Sequence, residues 1–161
     1  MQVVASRAPP LSVSQWLNTT EALDLVALRG RAVLLHAFQM LCPGCVAHGI
    51  PQALRVYQSF PADEVMVIGL HTVFEHHDVM NAEALRVFLS EYRIPFPVGI
   101  DQAATDGPVP LTMRAYGLRG TPSFVLIDPD GCIRLQHFGQ IDDLLLGVAI
   151  GRLYGGDRFS Q

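Results

Sequence analysis

Cysteine is scarce in this chain: three among 161 residues. So small and odd a number speaks against a framework of structural disulfides. It leaves room for one working pair and a spare. Basic residues are few as well, 11 against 15 acids for a net charge of −4, and they form no cluster. Nothing therefore points to nucleic acid or an anionic membrane surface as a partner. No run approaches the ~20 apolar residues of a membrane span. A secretory signal needs a basic start and roughly 7–15 apolar residues, and here Ser6, Arg7, Pro9 and Pro10 interrupt any such run. The chain as given reads as cytoplasmic, or as periplasmic if a leader has been trimmed away. Internal repeats and low-complexity linkers are also missing.

What is present suits one globular domain, residues 1–161. Half the residues are hydrophobic and 16% are charged, a profile that can bury a sizeable core. Hydrophobic periodicity alternates between strand and helix along the chain. "RAVLLHAF" (31–38) and "EVMVIGL" (64–70) read as buried strands, and "FPVGI" (96–100) as a short one. Helical spacing begins at Pro43, a residue that suits a first turn. It returns in "NAEALRVFLSEY" (81–92), with Asn81 as N-cap. "LTMRAYG" (111–117) reads as a short helix closed by glycine. In "SFVLIDPDGCIRLQHFG" (123–139), Asp128-Pro129-Asp130-Gly131 is a turn between two strands. A last helix, 142–154, places Leu145, Leu146, Ala149, Ile150 and Leu153 on one face. The order β–α–β–α–(β)–α–β–β–α predicts an α/β sandwich with a sheet of mixed strand direction.

Cys42-Pro43-Gly44-Cys45 falls between the end of a central strand and the start of a helix, the edge where α/β sheets form sites. Three readings are open: a redox pair, part of a zinc site, or two packed thiols. Zinc needs four ligands. There is no second Cys-x-x-Cys, and His48, His76, His77 and Cys132 are scattered. Pro-Gly at a helix start is poor core material, which weighs against packed thiols. A haem attachment needs histidine directly after Cys45, where Val46 stands. The peroxidatic pattern of peroxiredoxins also fails, because Gln39 and Leu35 occupy its positions. At a helix N-terminus, in contrast, unpaired N–H groups and the helix dipole stabilise a thiolate. With Cys42 as N-cap, Pro43 is N1, and Gly44 and Cys45 supply N–H donors at N2 and N3. Two donors on the Cys42 sulfur predict a weaker reductant than a Gly-Pro arrangement would give.

"GTPSFVLID" (120–128) puts Thr121-Pro122 directly before a strand, where proline cannot join the ladder; a cis bond accounts for it. Together with the Cys pair and the Asp-Pro-Asp-Gly hairpin, this resembles the thioredoxin superfamily over about residues 9–155. "LDLVALRGRAVLLHAF" is similar to the opening of TlpA/ResA-like proteins. "VIGLHTVFEHHDVMNAEALRVFLSEYRIPFPVGID" is similar to the insertion that TlpA-like and DipZ-like redoxins carry. The resemblance implies a three-layer sandwich, its central mixed sheet flanked by helices, with a helix-strand insertion after the second core strand. It implies a thiol–disulfide oxidoreductase that needs no bound cofactor and no metal. Cys42 would attack, Cys45 would resolve, and Pro122 would be the cis-proline facing them. The Thr121 backbone would pair with a protein or small-molecule disulfide or thiol substrate, and an external reductant or oxidant would close the cycle. A thioredoxin-fold peptide-binding module and a thiol peroxidase are the alternatives.

Four positions depart from the family pattern. Leu41 replaces the tryptophan before the first cysteine, and Pro51 falls six residues after Cys45 where five is usual. His36 stands where thioredoxins bury an acid, and His48 where ResA-like proteins carry a glutamate. His36 and His48 are thus the candidate modulators of the thiols. His36 is otherwise expected to be a hydrogen-bonded core residue, while His71, Glu75, His76 and His77 are expected in a solvated loop. Cys132 reads as incidental. Phe38, Met40 and Leu41 are expected to form an apolar skirt around Cys42.

Overall fold

Seven strands form one sheet in the computed structural model, which describes residues 6–154. They are β1 (Ser6–Arg7), β2 (Val13–Leu17), β3 (Ala32–Phe38), β4 (Val65–His71), β5 (Val98–Asp101), β6 (Ser123–Ile127) and β7 (Cys132–Phe138). Their order across the sheet is β1-β7-β6-β3-β4-β5-β2. β3 lies at the centre, parallel to β4 and antiparallel to β6. Every residue of β3 is buried, which explains why it reads as a continuous apolar run rather than an alternating one.

Alternation still sorts its side chains between two faces. Leu34 and Phe38 enter a core built with α1 (Ile50–Ser59), α2 (Ala82–Glu91) and α4 (Asp143–Arg152). Val33, Leu35 and Ala37 enter a second core with Met113 and Tyr116, at and just beyond α3 (Leu111–Ala115), and with the N-terminal segment through Leu11 and Trp16. The result is the three-layer thioredoxin-like sandwich, and the inserted α2 shares a face with α1 and α4.

The helix starts follow the sequence. Asn81 accepts the Ala84 N–H at 3.0 Å, and Asp142 caps α4 through the N–H groups of Leu144 and Leu145. Pro110 cannot cap α3 with a side chain. Asp101, 5% exposed, does so from β5, accepting the N–H groups of Thr112 and Met113 and the Thr72 hydroxyl.

Two findings depart from the expectations. β1 and β2 extend the sheet at its two edges through antiparallel pairing with β7 and β5. They are short, follow or precede Pro9-Pro10, and β2 carries a register irregularity between Val13 and Gln15, so neither shows a clean alternation. In α4 the buried face is Leu146 and Ile150, whereas Leu145 is 53% exposed. No helix of the described residues is long and apolar enough to cross a membrane.

Candidate active site

The chain leaves β3 at Phe38 and reverses at once, with the Cys42 N–H donating to the Gln39 carbonyl at 3.1 Å. Two buried side chains hold this turn. His71, at the end of β4, accepts the Met40 N–H on Nε2 at 3.2 Å. Gln39, 1% exposed, accepts the Phe74 N–H at 3.2 Å and donates to Glu75 at 3.4 Å. The strand end is thereby tied to the first residues of the insertion.

A helical stretch follows. The Val46 N–H donates to the Cys42 carbonyl at 3.1 Å, so Cys42 is its N-cap. The Cys45 N–H, in the N3 position, donates to the Cys42 Sγ at 3.3 Å. Gly44 supplies no second hydrogen bond among the described residues. The expected pair of donors is therefore one, the same number that a Gly-Pro order leaves, and the donor count gives no reason to expect a weaker reductant. Cys42 Sγ also lies 3.5 Å from the Thr121 carbonyl oxygen.

The two thiols sit in different environments. Cys42 is half-buried, while Cys45 has no exposed surface. Burial pushes the Cys45 thiol up to about 12, and the neighbouring Cys42 thiol adds to the effect. Cys45 is thus a protonated thiol at rest.

Cys45–Gly49 forms one π-helical turn, closed by the Ile50 N–H on the Cys45 carbonyl, before α1 continues. Such a turn absorbs one extra residue in a helix, which accounts for Pro51 falling six rather than five positions after Cys45. It brings Gly49 against the sheet. A Cβ there would stand 2.6 Å from His36 Cε1, 2.9 Å from His36 Nε2 and 3.0 Å from Pro122 Cβ. The Thr121–Pro122 bond is cis, and a Cβ on Gly44 would stand 3.3 Å from Pro122 Cδ. His36, Gly44, Gly49 and Pro122 therefore pack together beside the Cys pair. Because its neighbours are rings in a closed core, Gly49→Ala is expected to cost about 1–3 kcal/mol of stability by overpacking. Urea unfolding checks this, and in a His36→Ala background, where the ring is gone, the same change should cost less; equal stability of wild type and Gly49→Ala contradicts the packing.

His36 is fully buried, stacked on Phe124 at 4.6 Å between ring centroids and on Phe38 at 5.6 Å. Neither ring nitrogen makes a hydrogen bond among the described residues, contrary to the hydrogen-bonded core histidine expected. Burial lowers its pKa to about 4, and the Ser123 backbone offsets only part of that. His71 is also held near 4 by burial. It is a buried strand residue rather than a member of the solvated loop, because the strand runs one residue further than its apolar run suggests. Glu75, His76 and His77 are exposed as expected. His48 is exposed too. It lines a hollow against the start of α4 with Arg55 and Asp142, and does not line the one at Cys42.

Cys42 opens onto a hollow of about 510 Å³. Its walls are the insertion (Phe74, Glu75, His76, Val79, Met80) and the loop before β6 (Arg119, Gly120, Thr121), with Leu41 and Phe138 at its margins. The apolar skirt differs from the one expected. Phe38 and Met40 are buried, and the exposed apolar groups are Leu41, Val79 and Phe138. Cys132 lies six residues from Phe138 at the other end of β7, about 20 Å along the strand. Among the described residues no three His, Cys, Asp or Glu side chains converge as metal ligands. The sequence shows no sign of Arg119 and gives no hint of the roles of Gln39 and His71, since all three depend on which strand end meets which loop.

One sulfur facing a hollow and the other sealed beneath it, at the edge of a mixed sheet, define a thioredoxin-like oxidoreductase. The AhpC/TSA family profile matches residues 4–136, and the chain belongs to that family. A search of the curated proteins finds no match. Among solved structures, the thioredoxin-like superfamily protein SPOA0173 is 55% identical, with a TM-score of 0.92 over 94% of this chain and 97% of that one. A thiol-disulfide isomerase from Corynebacterium glutamicum is 49% identical, with a TM-score of 0.88 over 92% and 97%. The thioredoxin domain of a thiol-disulfide oxidoreductase from Bacteroides vulgatus, 21% identical with a TM-score of 0.71 over 92% and 96%, shares the fold.

Proposed function

We propose that this chain, taken as a single thioredoxin-like domain over residues 1–161, exchanges dithiol for disulfide through Cys42 and Cys45. The observation that carries the proposal is the asymmetry of the two thiols: Cys42 capped by an N–H donor and open to the hollow, Cys45 buried and protonated. The Cys42 thiolate attacks one sulfur of a substrate disulfide. That S–S bond breaks, a Cys42–substrate disulfide forms, and the other substrate sulfur leaves as a thiolate and takes a proton. Cys45 then gives up its proton and attacks the Cys42 sulfur. The second substrate thiol departs and the Cys42–Cys45 disulfide remains. Two electrons have passed from protein to substrate, and an external dithiol restores the pair; run backwards, the same steps oxidise a substrate.

Three other residues have supporting roles in this scheme. The Thr121 backbone borders the hollow and pairs with the substrate segment, and Pro122 holds that loop against the helix start. His36, buried and neutral, packs against Gly49 and so fixes the helix behind Cys45 on the sheet. His48 lines another hollow and takes no step.

The test is dithiothreitol-driven reduction of insulin. Wild type should turn over, Cys42→Ser should fall to the uncatalysed rate, and Cys132→Ser should match wild type. Turnover by Cys42→Ser, or its loss in Cys132→Ser, overturns the assignment.

A further inference from the structure

The hollow at Cys42 has a charge on each wall. Glu75 lies on the insertion side, held by Gln39 at 3.4 Å. On the opposite side stands Arg119, two residues before Thr121. Its guanidinium carbon sits 5.4 Å from the centre of the Phe138 ring. Gly120 permits that arrangement: a Cβ at 120 would stand 2.8 Å from Phe138 Cε2, so only glycine lets the ring lie against the loop and support the arginine. The ion pairs of the described residues use Arg55, Arg86, Arg114 and Arg134, and Arg119 is in none of them. A cation on an aromatic face is held in place but not neutralised.

Resting on the thiol–disulfide reading above, we propose that Arg119 is a specificity-determining residue. It selects polypeptide disulfides that carry an acidic side chain beside the attacked cysteine, on the flank that lies over the loop before β6. The polypeptide class follows from the margins of the hollow. Leu41, Val79 and Phe138 are 58%, 57% and 47% exposed, more apolar surface than a small charged thiol can cover. The direction of the preference follows from the charges. A carboxylate on one flank meets Arg119, and the same carboxylate on the other flank meets Glu75.

The experiment uses disulfide-linked peptides with Glu, Gln or Lys at one position, placed before or after the cysteine, and compares kcat/KM. On one flank only, wild type should prefer Glu over Lys by about 2- to 30-fold, the span expected when an exposed pair of roughly 0.2–1 kcal/mol changes from attractive to repulsive. The preference should shrink with added salt. Arg119→Ala should erase it, and Arg119→Glu should invert it while the Gln peptide is still reduced. A wild-type ratio indistinguishable from one on both flanks, or a ratio unmoved in Arg119→Glu, overturns the proposal and leaves the exchange chemistry standing. If no peptide is reduced by wild type, the exchange reading itself fails. Thermal unfolding of both variants, expected to match wild type, separates loss of selectivity from loss of fold.

Discussion

Replacing Cys45 with serine is expected to stop the cycle at the mixed disulfide, with the substrate left covalently attached to Cys42. Wild-type release is intramolecular, because Cys45 sits one turn from the sulfur it attacks and its N–H already touches Cys42 Sγ. Without it, release depends on external thiol. Well-oriented intramolecular reactions reach effective molarities of about 10⁵–10⁸ M, and even about 1 M would exceed 1 mM external thiol roughly a thousandfold. Multiple turnover should therefore fall by on the order of 10³ while one equivalent of adduct accumulates. Intact mass spectrometry of Cys45→Ser after mixing with a disulfide peptide checks this. The adduct should map to Cys42 and be missing in the Cys42→Ser, Cys45→Ser double variant. An adduct on Cys132, or fast multiple turnover by Cys45→Ser, contradicts the roles assigned to the pair.

A large effect is also expected from mild acid, without any substitution. His36 and His71 are buried, and burial holds both near pKa 4, against about 6.5 in an unfolded chain. Below pH 6.5 the unfolded chain takes up two protons that the folded protein refuses until about pH 4. Stability from these sites is thus complete above pH 6.5 and is lost as the pH falls. Linkage puts the combined loss at about 4 kcal/mol by pH 5 and about 6 kcal/mol by pH 4. Set against the roughly 5–15 kcal/mol typical of a domain, that brings the protein close to unfolding. Urea midpoints at pH 7.5 and pH 5 measure it. His36→Phe, which extends the stack on Phe124, and His71→Gln, which keeps an acceptor for the Met40 N–H, should each remove about half of the pH dependence. A flat profile between pH 7.5 and pH 5 would show that water or a local opening reaches the two rings.

How much of this was legible in the sequence depends on range. β3, β4, β6, β7 and the starts of α2 and α4 were readable, because each is specified by neighbours a few residues away: apolar runs, the Asn81 cap, the Asp-Pro-Asp-Gly turn. The Cys42/Cys45 pair and its partner loop at Thr121-Pro122 could be picked out because both are odd locally, a proline opening a helix and another opening a strand. Residues whose roles arise between distant segments were not readable. His71 looks like part of a histidine-rich loop until β4 places it under Met40. Arg119 is one of eleven arginines until Phe138, nineteen residues on, supplies the ring beneath it. The missing hydrogen bonds of His36 could not be foreseen either, since a polar residue in an apolar strand is normally paired, and here packing between Phe38 and Phe124 takes the place of a partner.

The π-helical turn at Cys45–Gly49 has a consequence for comparing this chain with its relatives. An extra residue in a helix would ordinarily rotate everything after it by about 100°, carrying the buried Ile50 and Ala53 of α1 toward solvent. Here the surplus is absorbed in one loop of backbone, so the cysteines before it and the core face after it both keep their places. A gap opened to align this chain with a family member of the commoner spacing therefore belongs between Cys45 and Pro51 and nowhere else in the helix. Misplacing it would set Gly49 opposite a residue with a side chain, and would hide the one position in the helix where His36 and Pro122 leave no room for one.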